Sequence, residues 1–201
     1  SPAPDYTLPT TRFRSSRPAL NDLLAADTEV VRPSAAHAPL VFLLVFTQWS
    51  VGLALAGASP WAGDRAETRL LACGALATVT IGLGIGALHL GQPLRAWRVF
   101  LGWRRSWFSR EAILFGLYAG LVFAWCVSLW RMPLLGSALG HAAAFTGLAA
   151  VWASVMLYVD TRRAFWSMRH VAPRFLGTAL ILGAAGLGAV GELSFSVEEF
   201  L

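Results

Sequence analysis

Lysine is absent from this chain, and all sixteen basic residues are arginine. Charge of either sign is scarce: Asp, Glu, Lys and Arg together make up 13% of the residues, against roughly 25% in an ordinary soluble domain. Most of the chain therefore cannot face water. Cysteine is nearly missing too, with two residues. An iron–sulfur cluster takes about four thiolates, so the chain cannot hold one alone. Cys73 and Cys126 lie in separate apolar stretches with no CxxC, and read as buried thiols packing as small hydrophobes, not as a disulfide. A short apolar run with a small-residue cleavage site is missing from the N-terminus, which excludes a signal peptide there. Strand-type alternation is missing from the apolar stretches, which excludes a membrane barrel.

What is present is apolar. Hydrophobic residues make up 56% of the chain and the mean hydropathy is +0.59. Five stretches approach the roughly 20 residues that a bilayer core demands of a helix: about 38–58, 68–90, 111–130, 139–158 and 173–191. The expected fold is an all-α integral membrane bundle of five helices, residues 37–201, behind a polar arm, residues 1–36. Pro2, Pro4, Pro9, Pro18 and Pro33, scattered among Arg12, Arg14 and Arg17, make that arm extended. Ser1-Pro2 reads as the interior of a longer chain. Gly82 and Gly86 form a GxxxG pair, and Gly183, Gly186, Gly188 and Gly191 crowd the fifth span. Small residues of this kind let helix backbones approach where lipid supplies no hydrophobic drive.

The net charge of +5 and pI near 10.2 fit a nucleic-acid binder in the abstract, but the arginines sit between apolar spans. Arg95, Arg98, Arg104, Arg105 and Arg110 fill the second connection, and Arg162, Arg163, Arg169 and Arg174 the fourth. The first and third connections are nearly neutral. Parity puts the arm on the same side as both basic loops, and the positive-inside rule makes that side the cytoplasm. The expected place is a bacterial inner membrane, with lipid as surroundings and no nucleic-acid partner.

The second connection carries the chemistry. In His89-Leu90-Gly91-Gln92-Pro93-Leu94-Arg95-Ala96-Trp97, Gly91 suits a helix cap and Pro93 stops the helix. Leu94, Trp97, Phe100 and Leu101 then recur at helical spacing between arginines, as in a segment lying in the headgroups. Ser109 offers an N-cap for the third span, with Glu111 in its first turn. Five groups gather at the cytoplasmic helix ends: His37, His89, Glu111, Tyr158 and Asp160. An apolar cleft with polar groups at headgroup depth is what a quinone needs: a histidine hydrogen-bonds a carbonyl and a carboxylate relays protons. A histidine at a helix end is also often merely solvated, and for His37 and His170 that plainer reading is preferred.

The stretch HLGQPLRAWRVFLGWRRSWFSRE resembles the signature loop of the membrane-anchor subunit (DmsC family) of dimethyl-sulfoxide-reductase-type molybdopterin oxidoreductases. AHAPLVFLLVFTQWSVG resembles that family's first helix, and the likeness runs through most of residues 37–190. The resemblance implies a non-catalytic subunit without metal. It would bind quinone or quinol, menaquinone or ubiquinone, and exchange electrons with an iron–sulfur subunit beside a molybdopterin catalytic subunit of sulfoxide-reductase or sulfite-dehydrogenase type. It carries the family's functional histidine onto His89, its loop arginine onto Arg95 and its acidic residue onto Glu111. Family anchors have about eight spans and this chain shows five. PDYTLPTTRF in the arm resembles the tail of the family's ferredoxin-like subunit, so the chain reads as a piece of an anchor, or of a fusion of subunit and anchor. Arg12 and Arg14 become the expected contacts to that partner. The alternatives are a b-type cytochrome with His37 and His89 as haem ligands, a small transporter, disfavoured by the lack of paired charges within the spans, and a purely structural anchor.

Overall fold

The computed structural model describes residues 38–88, 93–161 and 166–199, all within the compact unit Ala38–Leu201. The arm with Arg12 and Arg14, and the two histidines His37 and His89, lie outside the described residues. Five α-helices follow in order: α1 (Ala38–Ala58), α2 (Arg65–Leu88), α3 (Trp107–Arg131), α4 (Pro133–Val159) and α5 (Met168–Glu199). Each contains a stretch long and apolar enough to cross a membrane. Among the described residues there is no strand, so the all-α bundle expected from hydropathy is the fold.

Helix α1 is the axle of the bundle, packing on α2, α5 and α4, while α3 and α4 form a second tight pair. Val51 and Ala54 of α1, Leu71 and Val79 of α2, and Tyr118 and Val122 of α3 are fully buried between helices. In lipid these contacts stabilise through close van der Waals packing. The glycines divide accordingly. A Cβ at Gly82 would meet Phe46, and one at Gly86 would meet Leu43, so the GxxxG pair faces α1. Gly52 and Gly183 meet backbone to backbone where α1 crosses α5, and Gly186 lies under Leu53. Gly188 and Gly191 face open space and do no packing.

A buried polar node ties three helices at mid-depth. Ser50 Oγ donates to the Ala75 carbonyl at 2.6 Å and lies 2.8 Å from Tyr118 Oη. Because the serine's single proton is on Ala75, the tyrosine is the donor in the second bond. An unpaired hydroxyl in this setting costs about 1–3 kcal/mol, so the node fixes the register of α1, α2 and α3. Cys73 of α2 and Cys126 of α3 are free, with Sγ atoms 3.4 Å apart. Cys73 is exposed on the bundle surface, which corrects the expectation that both thiols are buried.

The helix ends depart from expectation in instructive ways. Ser106, not Ser109, caps α3, its side chain accepting from Ser109 N. The helix therefore starts four residues ahead of Glu111, which lies past the first turn. Met132-Pro133 is not a loop: α3 ends at Arg131 and α4 begins at once, because proline at the first helical position sacrifices no hydrogen bond. Pro173 lies inside α5, which starts at Met168. The segment after Pro93 is a 3₁₀ helix, Pro93–Gly102, with Trp97, Phe100 and Leu101 exposed.

Candidate functional site

One end of the bundle brings together the starts of α1 and α3 and the end of α2. Between them lies a cavity of about 300 Å³. Leu40, Leu43 and Thr47 of α1 form one wall; Leu83, Gly86 and Ala87 of α2 form the second; Phe108, Ala112 and Phe115 of α3 form the third. Glu111 is the one charged residue among these lining residues. The Thr47 hydroxyl is spent within its own helix, donating to the carbonyls of Leu43 and Leu44. The glycine at 86 has a physical reason: a Cβ there would sit 3.1 Å from the Leu43 side chain, and its absence lets α1 and α2 draw together along this wall.

Glu111 is held from its other side by α4. Ser154 Oγ donates to Glu111 Oε1 at 2.5 Å, and Ser154 itself is buried. One carboxyl oxygen is thereby occupied and the side chain is fixed between α3 and α4. Tyr158 lies one turn after Ser154 on the same face of α4. Its ring packs edge-on against Trp166 at 4.9 Å and against Phe175 at 5.4 Å. Sequence reading missed Ser154. The available signal was its spacing from Tyr158, since residues four apart share a helix face.

Two of the other expected site residues, Arg95 and Asp160, lie apart from Glu111. Arg95 is exposed on the 3₁₀ segment and is not part of the cavity wall. Asp160 caps the C-terminus of α4, exposed, with its backbone N–H on the Met156 carbonyl. His37 and His89 belong to the residues outside the described set. Of the five groups expected to converge, Glu111 bonds Ser154 one turn before Tyr158 on α4, and Asp160 lies at the surface.

Aromatic and cationic groups mark the rim of this end. Arg110 stacks over Trp107, 4.2 Å from the ring centroid, and donates to the carbonyls of Trp103 and Arg104. Arg104 and Arg98 lie over Trp103 and Trp97. Tryptophan with arginine is the residue pair expected at headgroup depth.

Residues 34–195 match the DMSO reductase anchor subunit (DmsC) family. The chain belongs to that family. As an anchor subunit with five membrane-crossing helices, it is a multi-pass membrane protein. It is also similar to a sulfite dehydrogenase subunit of Allochromatium vinosum, with 37% identity over 121 residues. That alignment covers 55% of this chain and 37% of the relative, so the chain spans little more than a third of the relative's length. No solved structure matches.

Proposed function

We propose that this anchor subunit binds quinone in the cavity beside Glu111 and passes electrons between the quinone pool and an iron–sulfur subunit of a molybdopterin oxidoreductase. The observation that carries the reading is an apolar cavity of about 300 Å³ containing a single carboxyl group that is held by a serine. Its size falls at the lower end of ligand pockets, about 300–1,000 Å³, which suits a ring headgroup with its tail left in lipid. A quinone supplies two-electron redox chemistry coupled to two protons.

The chain's own residues have separate tasks in this reading. The leucine and phenylalanine walls receive the ring and exclude water. Glu111 exchanges protons through the oxygen that Ser154 leaves free. His89 follows Leu88 in the chain, two positions after Ala87 of the cavity wall, and supplies the hydrogen bond to a carbonyl. Arg95 keeps the connection near the headgroups. Arg12 and Arg14 of the arm contact the iron–sulfur subunit. The arginine-rich connections put this end on the cytoplasmic side of a bacterial inner membrane. With a sulfite dehydrogenase subunit among its relatives, the complex is best read as one of sulfite-dehydrogenase type, its clusters and molybdopterin carried by partner subunits.

The test is made in the assembled complex, by comparing turnover with quinone and with an artificial dye that bypasses the membrane. His89→Ala and Glu111→Gln are each expected to abolish the first and leave the second intact. Normal quinone-linked turnover and inhibitor binding in His89→Ala and Glu111→Gln would leave the purely structural anchor as the better reading.

A further inference from the structure

A second cavity, of about 310 Å³, lies at the opposite end of the bundle from Glu111. Its walls come from the end of α1, the start of α2, the end of α3 and the start of α4, and its character is different. It is lined by Arg65 and Arg69, by the hydroxyl residues Ser59, Thr68 and Ser137, and by His141. Trp61 and Trp130 are exposed at the same end, the depth at which tryptophan meets headgroups.

Among the described residues, no ion pair joins these arginines to the acidic residues beside them in sequence, Asp64 and Glu67. Asp64 Oδ1 accepts from the backbone of Ala66 and Glu67, and Glu67 Oε2 accepts from Asp64 N. One oxygen of each carboxylate caps the start of α2, and neither residue lines the cavity. Arg69 donates one Nη2 bond to the Leu129 carbonyl and stacks 4.4 Å from the Trp130 ring. Its Nε is buried and has no acceptor. A buried donor without a partner is rare and calls for an occupant that would satisfy it. His141 engages the Ser137 carbonyl through Nδ1, so its Nε2 remains as the second ring nitrogen.

We infer that this cavity binds a tetrahedral oxyanion of the phosphate or sulfate kind. Two guanidinium groups supply charge and planar pairs of donors that match such oxygens. The Ser137 hydroxyl lines a further wall, whereas the hydroxyl protons of Ser59 and Thr68 rest on the Ala56 and Asp64 carbonyls. The stacking of Arg69 on Trp130 holds one guanidinium at the cavity edge. An oxyanion seated there would meet the Arg65 and Arg69 guanidinium groups and offer the unpartnered Nε an acceptor. The oxyanion comes either from the headgroup of an anionic phospholipid or from solution. No redox or group-transfer step is involved, and the site is independent of the quinone reading at the other end.

The experiment uses the full chain in nanodiscs. In one arm the discs contain phosphatidylcholine with phosphatidylglycerol, and native mass spectrometry counts phosphatidylglycerol retained on the released protein. In the other arm the discs contain phosphatidylcholine alone, and inorganic phosphate and sulfate are titrated calorimetrically. Saturable binding in one arm is expected, weakened at least tenfold by Arg65→Gln and by Arg69→Gln. Retention of phosphatidylglycerol identifies a headgroup; binding of phosphate or sulfate identifies a soluble anion. Arg65 is exposed, so Arg65→Gln folds normally and decides the matter even where Arg69→Gln disturbs the clamp on Leu129. Absence of binding in both arms, or unchanged binding in Arg65→Gln, overturns the inference.

Discussion

Ser154 and Glu111, on neighbouring helices and 43 positions apart in the chain, are joined by a 2.5 Å hydrogen bond from hydroxyl to carboxyl. The serine is buried and donates to the one charged group of an otherwise apolar cavity. Hydrogen bonds to charged groups contribute about 1.5–3 kcal/mol each, enough to fix where the carboxyl rests.

The first expectation follows from that bond. Ser154→Ala frees the carboxyl to leave its position, while the cavity walls stay as they are. Quinone-linked kcat/KM should fall by roughly tenfold to a hundredfold, the equivalent of one lost charged hydrogen bond, with dye-linked activity unaffected. A kcat/KM within twofold of wild type would show that Glu111 does not depend on the serine.

The second concerns the crossing of α1 and α5. A Cβ added at Gly52 would come within 2.7 Å of Gly183 N, and one at Gly183 would meet the Gly52 backbone. Backbone cannot move aside as a side-chain tip can, so the helices must separate. Gly52→Ala and Gly183→Ala should each lower stability by about 1–3 kcal/mol, the usual range for overpacking. Gly188→Ala, which faces open space, should be silent. Thermal unfolding of the purified protein in detergent measures all three, and an equal effect at position 188 would deny the crossing its special role.

The third concerns orientation. A reporter fused after Gly102 should read as cytoplasmic, and one fused after Gly63 as periplasmic, because the arginine-rich connections share one side. The reverse pattern would move the quinone reading to the other leaflet, leaving the fold untouched.

Hydropathy alone was enough to find five helices, because a bilayer imposes one length and one composition on whatever crosses it. The helix ends were harder. Ser109 and Ser106 are both plausible caps, and the difference is decided by the preceding turn, where Arg105 and Ser106 bond back to the Gly102 carbonyl. The expected spans 111–130 and 139–158 left a gap that Pro133 closes, since proline is excluded from helix interiors but welcome at their first residue. At the site, Glu111 stood out because it heads the third span and the family resemblance carries an acidic residue onto it. Ser154 did not, because a serine among alanines and valines on a buried helix resembles any small packing residue. Only the α3–α4 pairing shows which group it serves.

The direct junction at Met132 has a mechanical consequence. With α3 ending at Arg131 and α4 beginning at Pro133, the pair is a caliper whose pivot lies at one membrane face. Glu111 and Ser154 are its tips, each about 30 Å from the pivot at 1.5 Å per residue. Opening the arms by about 5° parts the tips by roughly 2.5 Å at that radius, enough to break the bond between them. The side-by-side packing of α3 and α4 along their length resists such opening, so the loop-free junction and the helix contacts together set the spacing between Glu111 and Ser154.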